Sequence, residues 1–201
     1  MSAIKRFVAI AGNIGAGKST LTGLLSQRLG WEPFYEAVSD NPYLADFYAD
    51  MSRYAFHSQV FFLSRRLRHH HRLLDFPGSV IQDRSIYEDA EIFAQALHQQ
   101  GHISPRDYQT YRELYEALVR LLPPPDLVVY LRASVPTLLQ RIALRGRSYE
   151  RNMAPEYLAS LNVLYEAWMQ NFSLCPVLTV PADRLDFVHE MAHLDLILCK
   201  I

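Results

Sequence analysis

Apolar residues fall along this chain in two alternating patterns. Phe7-Val8-Ala9-Ile10-Ala11, Ser79-Val80-Ile81-Gln82, Leu127-Val128-Val129-Tyr130-Leu131 and Pro176-Val177-Leu178-Thr179-Val180 are short, nearly continuous apolar runs. They predict strands buried on both faces, as in a parallel sheet. Between them, apolar positions recur three and four residues apart over 19–29, 42–74, 86–100, 105–122, 135–144 and 155–171. That is the spacing of helices that bury one stripe. Strands alternating with helices predict an α/β fold, a parallel sheet flanked by helices on both faces.

Composition narrows the picture. Half of the 201 residues are apolar and a fifth are charged, enough material for one sizeable core. No repeat, low-complexity linker or shift of composition marks a boundary, so residues 1–201 read as a single domain. Twenty basic and 21 acidic residues leave a formal charge of −1. Without an overall field for a polyanion, neither nucleic acid nor a membrane is an expected partner. Met1 to Arg6 precede no apolar run of signal length, and no stretch of about 18 apolar residues occurs. Cys175 and Cys199 have no metal-ligand spacing, consistent with a reducing cytoplasm. The one basic run, Arg65 to Arg72, reads as the solvated end of a helix.

Chemistry enters at Gly12-Asn13-Ile14-Gly15-Ala16-Gly17-Lys18-Ser19-Thr20. This is G-x-x-x-x-G-K-[ST], set between a predicted strand and a predicted helix as the motif requires. Its glycines let backbone N–H groups turn onto phosphates, and the helix N-terminus adds the positive end of its dipole. Lys18 reaches the transferred phosphate and Ser19 can ligate Mg²⁺. The chain has only three lysines, Lys5, Lys18 and Lys200, and neither of the others follows an asparagine, so the Asn-Lys-x-Asp guanine reader of a GTPase switch is missing. A nucleic-acid motor would need a basic track. Phosphotransfer to a small molecule remains.

Beyond the loop, Tyr35-Glu36-Ala37-Val38, Phe56-His57-Ser58-Gln59, Asp83-Arg84-Ser85-Ile86-Tyr87-Glu88-Asp89 and the segment from Arg141 to Glu150 resemble, in order and spacing, the motifs of the deoxynucleoside kinase family. The resemblance spans nearly the whole chain and is nearest the short bacterial members that act on purine deoxynucleosides. It implies a P-loop kinase fold with a five-stranded parallel sheet, an arginine-rich lid at about 141–150, and a homodimer. It also implies transfer of phosphate from ATP, with Mg²⁺, to a deoxynucleoside 5′-hydroxyl.

The residues can be weighed one by one. A carboxylate at a strand end can take the proton of a sugar hydroxyl, and Glu36 fits. The family has Glu-Pro-Val where this chain has Glu-Ala-Val, and Glu32-Pro33 is a competing match; Glu36 is preferred because β-prone Phe34-Tyr35 precedes it. Asp83-Arg84 follows a strand, where doubly wound sheets put ligands. Asp83, more often glutamate in the family, is a candidate Mg²⁺ ligand, and Arg84 a clamp beside the 5′-oxygen.

Gln59 and Arg66, seven residues apart with Phe62 between them, share one helix face and are expected to meet a nucleobase, with Asp89 pairing Arg66 and Phe93 one turn further on. The resemblance reads Arg66 with Asp89 as purine or cytosine recognition and assigns Tyr48 and Glu150 to the deoxyribose 3′-hydroxyl. Arg141, Arg145 and Arg147 gather three like charges that call for an anion, as a lid over ATP would supply. Ala182-Asp183 would pass near the ATP adenine. The expected catalytic residues are therefore Glu36, Arg84 and Lys18. Two rivals remain: a nucleoside monophosphate kinase, which would need a cation beside Glu36 that Tyr35 and Ala37 do not supply, and a non-catalytic nucleotide sensor.

Overall fold

A computed structural model describes residues 5–36, 41–150 and 153–201. Its five strands, β1 (Phe7–Gly12), β2 (Glu32–Phe34), β3 (Val80–Asp83), β4 (Leu127–Arg132) and β5 (Val177–Pro181), form one parallel sheet in the order β2-β3-β1-β4-β5. β1 is central. Ile10 lies opposite Asp83 of β3, and Gly12 opposite Leu131 of β4. All strands run the same way, so Gly12, Asp83 and the loop that follows β2 emerge at one edge.

Alternate residues of the central strands feed two cores. Val8, Ile10, Ile81, Val129 and Leu131 pack on one face with Leu21 and Leu25 of α1 (Lys18–Leu29). Ala9, Ala11, Val80, Val128 and Tyr130 pack on the other with Leu161 and Tyr165 of α8 (Pro155–Asn171). Each fully buried aliphatic side chain contributes roughly 1.5–3 kcal/mol of transfer free energy, which explains strands that are apolar on both sides. Proline stands in the first turn of α6 (Pro105–Val119), α7 (Val135–Arg145) and α8, where its missing N–H costs nothing.

Three elements depart from the periodicity. The expected helix over 42–74 is two helices, α2 (Leu44–Ala49) and α3 (Met51–Asp75), because Asp50 leaves helical geometry and its carboxylate caps α3 by accepting from Arg53 N. The expected helix over 86–100 begins as α4 (Ile86–Glu88), loosens into a π-helix over Asp89–Ala94 and closes as α5 (Gln95–Gln99). A further helix, α9 (Met191–Leu198), lies outside every predicted span; Leu194 and Ile197 bury it against the α1 side. At the other end of α3, Lys5 Nζ donates to the carbonyls of Leu73, Leu74 and Phe76 at 2.6–3.1 Å, a cation on the negative helix end. No helix among the described residues is long and apolar enough to cross a membrane.

The loop between β1 and α1 is pressed against its surroundings. A Cβ on Gly12 would stand 2.9 Å from Leu131 O, and one on Gly15 2.8 Å from Ile142 Cγ1 and 2.9 Å from Leu138 O, with Gly15 at φ +82°. Gly15→Ala therefore pushes the loop off α7. The expected result is a loss of about 1–3 kcal/mol in urea unfolding, with nucleotide affinity reduced at least about ten-fold. Affinity equal to the parent in a calorimetric titration would contradict this packing.

Candidate active site

The carboxyl edge of the sheet opens into a cavity of about 750 Å³. One end is lined by Ile14, Gly15, Gly17, Lys18, Ser19 and Thr20 of the glycine loop and α1. Arg141, Arg145 and Arg147 line the same cavity, as does the segment from Ala182 to His189. Glu36, Tyr48, Gln59, Phe62, Arg84, Asp89, Phe93 and Glu150 line the rest. Segments distant in sequence are thus brought together as the motifs require. Ala37 to Asp40 lie outside the described residues.

Three members of the glycine motif support the loop rather than line the cavity. Gly12 ends β1, and Ala16 is buried in the α1-side core. Asn13 ties the loop to α8: its Nδ2 donates to Leu158 O at 2.9 Å and Asn162 Oδ1 at 2.8 Å, while its Oδ1 accepts from Ile14 N at 2.7 Å. Lys18 Nζ folds back to donate to Asn13 O at 2.9 Å. Burial, then the neighbouring Arg84, pushes its pKa down to about 8. Asp83, Glu88 and Glu36 offset this only in part, and a bound triphosphate would add further anions that favour the charged ammonium.

The two competing carboxylates are placed differently. Glu32 is exposed at the amino end of β2, opposite Val80, whereas Glu36 enters the cavity. Its Oε1 accepts from Arg66 Nη2 at 2.8 Å and lies 3.0 Å from Arg84 Nε. Burial works to raise its pKa, but Arg84, then Arg66 and Lys18, outweigh it and hold the carboxyl down at about 2. Its side chain is 16% exposed, so it is a largely desolvated carboxylate that faces the cavity and is ionised, free of a proton of its own.

Arg66 pairs with Asp89 as expected but does not reach the cavity. It is buried and is not part of the cavity wall. Its guanidinium reaches under the end of β3: Nε donates to Asp89 Oδ2 at 3.2 Å, Nη1 to the carbonyls of Asp83 and Arg84 at 3.2 and 3.0 Å, and Nη2 to Glu36. Two helical turns put it on the face of Gln59 but about 10 Å further along the axis, where β3 and Glu36 claim its donors. The expected base contacts that do line the cavity are Gln59, Phe62, Asp89 and Phe93. Gln59 is buried, and its Oε1 has no hydrogen-bond partner among the described residues.

Arg84 is the one non-glycine residue with positive φ, at 67°, among the described residues. Its guanidinium lies 4.4 Å over the Phe93 ring. Asp83 is buried; its Oδ2 accepts from Ser19 Oγ, and its Oδ1 has no partner among the described residues. Burial pushes its carboxyl up, against the pull of Lys18. An orphaned carboxylate oxygen beside a hydroxyl, in a site that disfavours negative charge, fits a hydrated divalent cation.

The arginine cluster carries its own counter-ion. Glu150, buried, accepts from Arg145 Nε and Nη2 at 3.1 and 2.6 Å and lies 3.6 Å from Arg147. Arg141 spans two carbonyls, Ala16 O and Ala182 O, both at 2.8 Å, bridging the glycine loop to the chain after β5. The expected repulsion is thus largely relieved without a ligand. Tyr149, next to Glu150, stacks on Tyr48 at 5.6 Å. Asp183 accepts from Ser134 N at 3.1 Å at the start of α7.

Sequence reasoning missed the segment from Arg184 to His189, whose Phe187 ring abuts Gly17, and it missed Glu88 and Tyr165. For Glu88 a signal existed: Ser85-x-x-Glu88 is a capping box, and the structure forms it.

Comparison with known proteins agrees with this geometry. A deoxynucleoside kinase family model matches residues 8–201. The chain is 38% identical over 196 residues to a deoxyadenosine/deoxycytidine kinase of Bacillus subtilis, covering 96% of this chain and 90% of that protein. It is 40% identical over 190 residues to a deoxyguanosine kinase of Lactobacillus johnsonii, covering 90% and 84%. The solved deoxyadenosine kinase of M. mycoides with bound dATP superposes with a TM-score of 0.86 at 33% identity, over 97% of this chain and 98% of that one. A cavity that joins a glycine phosphate loop to an ionised strand-end carboxylate, in a chain matched over its length by these enzymes, belongs to a phosphotransferase, and the chain is a member of the deoxynucleoside kinase family.

Proposed function

We propose that the protein transfers the terminal phosphate of ATP to the 5′-hydroxyl of a purine deoxynucleoside, deoxyadenosine or deoxyguanosine, giving the monophosphate for nucleotide salvage. The observation that carries this reading is Glu36, held ionised between Arg84 and Arg66 in a cavity continuous with the glycine loop. In it, Glu36 accepts the 5′-hydroxyl proton and Arg84 steadies the 5′-oxygen and the transferring phosphate. Lys18 and the backbone N–H groups of the loop hold the triphosphate. Ser19 and Asp83 would hold Mg²⁺, which when bound neutralises charge on the phosphates.

The lid at 141–150 closes over ATP when phosphate oxygens replace Glu150 on Arg145 and Arg147. Glu150 is thereby released toward the sugar 3′-hydroxyl beside Tyr48. Chemistry of this kind is almost wholly positioning and electrostatics.

Base preference follows from acceptors. Gln59 Oε1 is unpaired, and Asp89 keeps spare lone pairs beside Arg66; both call for N–H donors. Adenine, guanine and cytosine offer exocyclic amino groups and thymine offers none, so deoxycytidine is the alternative substrate and thymidine the poor one. A single domain over 1–201, a homodimer and a cytoplasmic address complete the reading. They are supported by the family, by Leu114 and Leu121 exposed on and just after α6, and by two free cysteines.

Two experiments test it. Glu36→Gln keeps size and removes the proton acceptor, so turnover is expected to fall about 10²–10⁴-fold while ATP affinity stays within about two-fold; the melting temperature falls, because the buried Arg66 and Arg84 lose a counter-ion, but the variant remains folded at the assay temperature, and undiminished turnover would favour the sensor reading. The four deoxynucleosides and their monophosphates, assayed in parallel, are expected to rank purine deoxynucleosides first, deoxycytidine next and thymidine last. Phosphorylation of monophosphates alone would reject the assignment.

A further inference from the structure

Glu88 and Tyr165 are buried polar groups with no part in the chemistry above, and both touch the two halves of the active site at once. Glu88 is wholly buried, and five donors converge on its carboxylate. Oε2 takes Ser85 N at 2.9 Å and Ser85 Oγ at 3.3 Å, the local capping contacts. Oε1 takes three donors from three different elements: Gly12 N at 3.2 Å, Tyr165 Oη at 2.7 Å and Arg84 Nη1 at 3.4 Å.

Tyr165, on α8, sits in the same knot. Its Oη accepts from Arg84 Nη1 at 2.9 Å and lies 2.9 Å from Gly12 O. Two acceptors, Gly12 O and Glu88 Oε1, compete for its single proton, and the carboxylate is both nearer and the stronger acceptor. Glu88 thereby turns the hydroxyl so that its lone pairs face Arg84. The Tyr165 ring is itself fixed by stacking on Tyr130 of β4 at 5.8 Å.

We infer that Glu88 and Tyr165 are positioning residues that lock Arg84 to the first glycine of the phosphate loop, so that the clamp beside the acceptor alcohol and the cradle for the donor triphosphate hold one relative position. The inference rests on the role given to Arg84 above. Arg84 needs such a lock because its backbone is in the left-handed region, which a branched-free but Cβ-bearing residue adopts only when its surroundings insist. Nε is committed to Glu36 and Nη1 to Tyr165 and Glu88. Nη2 is then the nitrogen left to meet a phosphate oxygen, in a direction set by the other two. A clamp misplaced by an ångström costs rate far more than it costs binding.

Tyr165→Phe tests this with least disturbance, because the ring and its stacking stay. Turnover at saturating ATP and deoxyadenosine is expected to fall about ten-fold. Dissociation constants for both ligands should stay within about two-fold, and the melting temperature within a few degrees. The same change is then made in an Arg84→Lys background, with radiolabelled ATP to follow the slower rate; there it should cost less than about two-fold, since the fork it orients is gone. Glu88→Gln, which sets an amide donor against one of the converging N–H groups, should reproduce the loss of turnover in the parent and likewise lose its effect on Arg84→Lys.

Parent-like turnover for Tyr165→Phe, or the same fold-loss in both backgrounds, would overturn the positioning role while leaving that of Arg84 intact. An Arg84→Lys variant as active as the parent would overturn Arg84's role, and the coupling with it.

Discussion

Glu36 stands between two guanidinium groups, and most of the site's geometry follows from keeping that carboxylate charged and out of bulk water. A lone buried carboxylate would protonate and lose its value as a base. Here Arg84 and Arg66 approach it within 3.0 and 2.8 Å. Each arginine brings an obligation of its own, because a buried guanidinium with unsatisfied N–H groups is costly. Asp89 and the carbonyls of Asp83 and Arg84 answer Arg66; Glu88 and Tyr165 answer Arg84. The result is a closed set of charges in which removing one member strands another.

This set also fixes distances between elements. Arg66 reaches from α3 to the end of β3 and to the chain after β2, while Glu88 reaches from α4 to the end of β1. Glu36, Arg84 and the phosphate loop are therefore registered against one another by protein contacts alone. Preorganisation of this kind lets electrostatic groups act without reorganising during the reaction. The opposite side of the cavity is built differently. Arg145 and Arg147 are held by Glu150, on the same short segment, so that side is neutralised from within rather than by the sheet edge.

Four of the five strands and the phosphate loop were legible because each depends on local rules: continuous apolar runs for buried strands, and a fixed glycine spacing between strand and helix. Glu36 was legible once a short strand was granted before it. Arg66 was misread because helical periodicity gives the direction of a side chain from its axis and not how far along that axis the ligand lies. The π-helix from Asp89 to Ala94 was hidden, since its sequence satisfies ordinary helical spacing and only packing widens the turn. Glu88 and Tyr165 lie 77 residues apart and acquire meaning only when α8 crosses the end of β1. The segment from Arg184 to His189 has no periodicity to announce it.

The charge state of Glu36 is the claim on which the rest turns, and carbon-13 labelling of glutamate carboxyls, with Glu36→Gln used to assign the resonance, reads it directly. Between pH 8 and pH 4, in the free protein, the Glu36 signal should keep the chemical shift of a carboxylate, since its pKa is held down at about 2 and any loss of the ion pairs would come only below that window. A titration midpoint between pH 4.5, the ordinary glutamate value, and about pH 7 would contradict the account.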